Sequence, residues 1–455
     1  MMKNKREDRC RKRSGIGRKM LHLSLSAALT FSMMLPAGTV SAASMTSPGT
    51  DSSIKVTSNS ADTFSVSSPS GGKSIIVSGT THLKAKRLCI RIDNVNISSG
   101  SAKYVITAFV TPDRHGRFSV KISTRRGSNS RPKILHGRGS TPRAGASYSM
   151  RPGYRSVGRI GAGTYRLTIA RAKTASQASI KTSLQGRALG GSSGYLLKDV
   201  LLSVSSSNPN HFRIVRYRKI QEHNTRVRNS SRRRPSDFKD PKLRDYPYLF
   251  RNPSKNTFQP MTDSQAKYIK GVARRITAGS GSDYAKVRKI YDYVGGKFYY
   301  DVYAFRAYKN QYHNPYLNLY HQRNKIASRN SDSRGRVGIV CEGYAGEVVA
   351  MSRALGIPAR LVQGRHNTLP QDRWEKLSQR LPGTWKNPDH WWAEVYVNHR
   401  WVFVDTCAAN SNKWNRSSFS SRGSYSYTGL TSRNYFDPTP QYISNLYYYT
   451  EIYGE

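Results

Sequence analysis

Gly338-Ile339-Val340-Cys341-Glu342-Gly343-Tyr344-Ala345-Gly346-Glu347-Val348-Val349-Ala350-Met351-Ser352-Arg353-Ala354-Leu355-Gly356-Ile357-Pro358 is the stretch from which the rest of the chain is read. Ala345, Val348, Val349, Ser352 and Leu355 recur at helical spacing, and Gly356 with Pro358 supplies the stop. Cys341 stands where a loop gives way to this pattern, which places a thiol at a helix N-terminus. Unpaired N–H groups and aligned peptide dipoles favour an anion there, so a first-turn cysteine ionises more readily than a free one. The thiolate is the nucleophile.

Further along, His390 opens the run His-Trp-Trp-Ala-Glu-Val-Tyr-Val, and after Asn398-His399-Arg400 a second run, Trp-Val-Phe-Val, ends on Asp405. Strand alternation puts His390 on one face with Trp392, Glu394 and Tyr396, and Asp405 on one face with Trp401 and Phe403. Two strands joined by so short a turn pair antiparallel, which can set His390 and Asp405 side by side. Trp391 points to the opposite face and is expected to pack.

A cysteine at a helix start, followed by a histidine and an aspartate on neighbouring strands, resembles the transglutaminase-like branch of the papain-type cysteine enzymes. The match is carried by Val340 to Ala345, by Ala354-Leu355-Gly356-Ile357-Pro358-Ala359-Arg360, by the His390 run and by Trp401-Val402-Phe403-Val404-Asp405-Thr406. It spans roughly residues 265 to 440. The resemblance implies Cys341 as nucleophile, His390 as general base and acid, and Asp405 as the group that orients the imidazole. Trp392 and Tyr344 are expected at the substrate site. The implied reaction is acyl transfer, in which the Cys341 thiolate forms a thioester from a peptide or side-chain amide. Water would resolve it in a peptidase or amidase, and an amine in a cross-linking enzyme. The alternative is a non-catalytic wall- or surface-binding protein that uses the same domain for recognition. Cross-linking enzymes of the animal type use calcium, but acidic residues are sparse here and show no calcium-loop spacing, so no metal or other cofactor is expected.

Residues 1–43 have the form of an export signal: a basic head, an apolar stretch over 21–35, then Val40-Ser41-Ala42-Ala43. The apolar stretch is too short and too interrupted for a permanent membrane span, so a secreted or wall-associated protein is expected. The chain carries 75 Lys and Arg against 26 Asp and Glu, a net charge of +49. Such a surplus suits an anionic cell-wall polymer as partner. The basic residues are scattered and form no recognised nucleic-acid signature, which argues against a specific nucleic acid. Loss of Cys10 with the signal leaves Cys89, Cys341 and Cys407, an odd number for an exported chain. Cys407 is expected to be a small packed residue, or else the partner of Cys341 in a reversible disulfide.

The expected organisation is α+β. A Ser/Thr-rich spacer over 44–72 leads to an all-β, sandwich-like binding or positioning module over 73–205. Phe118, Val120 and Ile122 there alternate with polar residues, as do Tyr165, Leu167 and Ile169. The Gly/Arg/Ser-rich stretch over 125–163 is an awkward insertion in such a module. A basic, proline-containing linker is expected over 206–256. The transglutaminase-like domain follows over 257–455, with its catalytic helix packed on an antiparallel sheet. Its first helix starts at a Thr262/Gln265 capping box with Ile269, Val272 and Ala273 inward. A second helix starts near Asp283 and is expected to stop at Gly295-Gly296. Tyr447-Tyr448-Tyr449 is expected to serve packing or wall contact rather than chemistry.

Overall fold

The computed structural model describes residues 49–51, 53–57, 62–68, 74–82, 88–94, 104–110, 112–126, 132–135, 162–171, 195–207, 211–241, 251–252, 257–258, 261–306, 314–366, 388–409, 412–418, 423–427 and 432–453. The export segment over 1–43 and most of the insertion over 125–163 lie outside the described residues.

The short alternating runs form two antiparallel sheets. One has the order Gly49–Asp51, Phe212–Arg216, Tyr195–Val204, Gly163–Arg171, Leu88–Asn94, Tyr104–Val110. The other has the order Ser53–Lys55, Thr63–Ser67, Ser74–Thr80, Arg117–Arg126, Pro132–Leu135. Phe118, Val120 and Ile122 are buried while Arg117 and Ser119 are exposed, as period-two burial requires. In the central strand Gly163–Arg171, Thr168 is buried along with Tyr165, Leu167 and Ile169, so this part of the sheet is covered on both faces.

Two segments expected to be unstructured belong to the fold. The spacer over 44–72 holds the strands Gly49–Asp51, Ser53–Lys55 and Thr63–Ser67. Ile54, Val56, Phe64 and Val66 are buried there, an alternation hidden by the Ser and Thr between them. The linker over 206–256 supplies the strand Phe212–Arg216, the helix Arg218–Asn229 and a 3-10 turn over Pro235–Phe238. Residues 46–455 form one unit. Thr439 N donates to Val56 O at 2.8 Å and Arg433 N to Asp62 Oδ2 at 3.2 Å, tying the first strands to the C-terminal third.

The capping box reads as expected: Gln265 N donates to Thr262 Oγ1 at 3.3 Å and Thr262 N to Gln265 Oε1 at 3.0 Å, opening the helix Asp263–Thr277. The next helix, Asp283–Lys297, runs through Gly295 and Gly296 instead of stopping there, because Gly295 is buried against its neighbours. Both helices, with Pro315–Asn324, pack on the helix Cys341–Ala354. All fourteen residues of that helix are buried, so the stripe read from the sequence understates it: helices cover one side and a sheet the other. It ends in a Schellman motif. Gly356, at φ +77°, donates to Arg353 O at 2.8 Å and Ile357 N to Ser352 O at 3.0 Å. Only glycine takes that φ without cost.

The sheet beneath it has the order Arg400–Val404, His390–Val397, Ala359–His366, Tyr447–Tyr453, all antiparallel. Asn398 and His399, at φ 53° and 60°, make a two-residue turn that sets Val397 opposite Arg400. A smaller sheet places Tyr299–Asp301 between the parallel strands Gly338–Ile339 and Lys413–Asn415. Gly338–Ile339 leads directly into the helix that starts at Cys341.

Candidate active site

Cys341 is the first residue of its helix, and Val340 before it is extended, at φ −110° and ψ −179°. Val340 has no side-chain oxygen to cap this end. The thiol is free and the residue only 8% exposed. His390, at the first position of its strand, hydrogen-bonds the Cys341 side chain on one side. On the other its Nε2 lies 2.7 Å from Asp405 Oδ2. With Nε2 committed to the carboxylate, Nδ1 is the nitrogen left for the thiol.

Asp405 is 1% exposed and fixed at both oxygens. Ala408 N donates to Oδ1 at 2.9 Å, and Tyr447 Oη donates to Oδ2 at 2.8 Å beside the histidine. Burial alone would raise this carboxyl, but the His390 charge and the three donors together hold it below the ordinary carboxylate range. His390 is the mirror case. Burial would lower its pKa, yet the Asp405 charge, the Asp405 hydrogen bond and the Cys341 side chain raise it well above the ordinary histidine value. The arrangement favours an imidazolium beside the Asp405 carboxylate.

The structure therefore brings Cys341, His390 and Asp405 together. Trp392 and Tyr344, expected at the substrate site, are both fully buried. Trp392 shares the His390 face, and burial along it goes from half-buried at His390 to complete at Trp392. Its ring lies 6.2 Å from that of His390, nearly parallel at 28°, as a floor to the site. Tyr344 is enclosed with the rest of its helix. Trp391 faces away and packs on Tyr453 at 4.9 Å.

Cys407 does not continue the strand of Asp405; it sits in the short helix Thr406–Ala409 with its thiol free. Burial, then the charges of Cys341 and Asp405, push that thiol well up. Tyr300 and His366 had no role in the sequence reading, and Tyr447 had only that of packing or wall contact. Tyr300, paired with Ile339 in the parallel register, has a phenol pushed up by burial and then by Cys407 and Cys341, which places it in the electrostatic reach of both thiols. His366 sets its ring 5.3 Å from that of His390. Tyr447 reaches Asp405 from the far edge of the sheet. Nothing local in the sequence marks His366 or Tyr447, since strand pairing alone brings them here. Gly364, opposite His390, permits that pairing: a Cβ would come within 2.1 Å of Tyr448 O and 2.5 Å of Trp392 Cη2.

Among the described residues no group of three His, Cys, Asp or Glu is placed to hold a metal ion, and no helix is long and apolar enough to cross a membrane. No curated protein matches the chain. Among solved structures it is similar to one described as a "Putative Cysteine Protease" from Cytophaga hutchinsonii, with 18% identity and a TM-score of 0.22, over 35% of this chain and 40% of that one. Residues 270–406 match the model of the transglutaminase-like superfamily, a segment that opens in the helix Asp263–Thr277 and closes one residue past Asp405. That matched segment holds the cysteine, the histidine and the aspartate.

Proposed function

We propose that this chain is a thiol-dependent acyl-transfer enzyme of the transglutaminase-like type. The observation that carries the proposal is His390 held between the Asp405 carboxylate, at 2.7 Å, and the Cys341 thiol. The thiolate attacks the carbonyl carbon of a peptide or side-chain amide. The oxyanion that forms is met by the Cys341 backbone N–H at the helix start. As the C–N bond breaks, the His390 imidazolium gives its proton to the leaving amine, and a thioester remains. Neutral His390 then takes a proton from water or a second amine as that nucleophile attacks, and the thiolate leaves. Asp405 keeps the imidazole in register and balances its charge at each protonated stage.

Water as acceptor makes the enzyme a peptidase or amidase, and a lysine-type amine makes it a cross-linker. Export through residues 1–43 and association with an anionic wall polymer are part of the same proposal; the basic head and apolar stretch support the first, and the excess of Lys and Arg over Asp and Glu supports the second. The test is mass spectrometry of a glutamine-containing peptide library incubated with the protein, with and without a primary amine. Cleavage, deamidation and transamidation each give a distinct mass change, absent in Cys341→Ala. No Cys341-dependent change in any arm would leave the non-catalytic binding protein as the better description.

A further inference from the structure

Tyr447 opens the terminal strand Tyr447–Tyr453, beyond the superfamily segment. Its hydroxyl and His390 Nε2 meet on the same carboxylate oxygen, Asp405 Oδ2, at 2.8 and 2.7 Å. The ring is fully buried, wedged between Phe403 at 4.7 Å, Trp392 at 5.2 Å and His366 at 4.9 Å. A hydroxyl on a ring so enclosed cannot follow a moving carboxylate, so it decides where Oδ2 stands.

The strand is an edge strand, and its outer side is closed by a side chain. Asn224, from the helix Arg218–Asn229, donates from Nδ2 to Tyr447 O at 2.8 Å and accepts at Oδ1 from Tyr449 N at 3.0 Å. One amide thereby copies the donor and acceptor that another strand would present. His223 Nε2 donates to Tyr449 O at 2.7 Å, and its ring stacks on Tyr448 at 4.2 Å.

From these contacts we infer that Tyr447 is a positioning residue for Asp405, latched in place by Asn224 from outside the superfamily segment. The inference rests on the triad proposed above. Two donors share the charge of Oδ2, so removing one leaves more of it facing the imidazole and favours imidazolium. The groups facing His390 are Cys341 on the helix, Asp405, His366 on the paired strand and Tyr447; Tyr435 and Tyr442 lie beyond Tyr447. Only the Tyr447 hydroxyl changes in Tyr447→Phe.

The test is an NMR titration of the full chain carrying ring-labelled histidine, with the His390 signal identified by its loss in His390→Ala. The His390 midpoint is expected to rise in Tyr447→Phe by roughly half to one pH unit. In Asn224→Ala, which keeps the hydroxyl but frees its strand, it should rise by a smaller amount. A wild-type midpoint in the ordinary histidine range would sink the triad itself. A raised wild-type midpoint that stays put in a folded Tyr447→Phe overturns the role of Tyr447 alone. Should that variant not fold, an unmoved midpoint in Asn224→Ala overturns it, and an upward one supports it.

Discussion

Arg228 Nε donates to Glu394 Oε1 across 2.6 Å, so a helix from the expected linker is ion-paired to the strand that begins with His390. Glu394 is fully buried and also receives Arg360, through Nε at 3.0 Å and Nη2 at 2.6 Å, and the Tyr449 hydroxyl at 2.8 Å. Arg228 Nη2 continues to Trp401 O at 2.7 Å. Removing one partner of such a cluster strands the others in a low dielectric, which costs about 3–5 kcal/mol for a wholly buried pair. The Arg228 side chain is 19% exposed, so Arg228→Ala is expected to cost less, roughly 2–3 kcal/mol. Urea unfolding would read this directly; a loss below about half a kcal/mol would show that the helix is only draped on the sheet.

Glu394 also sets the acid limit of the fold. Burial would raise its carboxyl, but Arg228 and Arg360 bring it below the ordinary glutamate value, and Asp405 is lowered in the same way by His390. A carboxyl depressed in the folded state gives stability that is complete above its unfolded pKa and is lost as pH falls through the folded one. Stability should therefore fall progressively below about pH 4.5. Glu394→Gln should flatten that acid limb while lowering stability at neutral pH. Melting curves between pH 3 and 7 would show an unchanged acid slope if the ion pairs contribute nothing.

Glu347 predicts the opposite trend on the alkaline side. It lies in the middle of the catalytic helix, fully buried, and burial raises its carboxyl well above the ordinary glutamate range, with Asn318 offsetting only part. The folded state thus holds a proton that the unfolded chain releases near pH 4.5, and stability declines as pH rises above that value. Glu347→Gln keeps the shape without the titration. The variant is expected to gain stability, most at high pH, by roughly 1–3 kcal/mol at pH 8. A variant less stable than wild type at pH 8 would mean that the carboxylate is ionised in the fold and has a cationic partner.

The order of thiol, imidazole and carboxylate was legible because each sits at an element boundary with a local signal: a loop-to-helix switch at Cys341, and a hairpin around Asn398 and His399. The capping box at Thr262 was legible for the same reason. What escaped is what depends on pairing between distant strands. Tyr447 is 42 residues from Asp405 and reaches it only because its strand pairs with Ala359–His366. The helix Arg218–Asn229 escaped because its arginines suggested a solvated segment, while Arg228 is in fact the charge that Glu394 requires. The burial of Trp392 was not legible, because alternation gives a face but not what covers that face.

The three thiols among the described residues should differ in reactivity in an order that follows from their surroundings. Cys89 is 1% exposed in the N-terminal sheet, where burial, eased only partly by Arg91, pushes its thiol up to about 12. Cys407 is also raised well above the ordinary thiol value, by burial and then by the neighbouring charges of Cys341 and Asp405. Cys341 alone among them stands at a helix N-terminus and hydrogen-bonds His390. Iodoacetamide at pH 6.5 is thus expected to label Cys341 first, with Cys89 and Cys407 slower by at least about tenfold, as followed by peptide mass spectrometry. His390→Ala should remove most of the Cys341 advantage, because the buried sulfur then loses its cation. Asp405→Asn should remove part of it, because the imidazole keeps its place near the thiol without the charge that holds its proton. Equal labelling of Cys341 and Cys407 in the wild-type chain would show that no ion pair forms at the helix start.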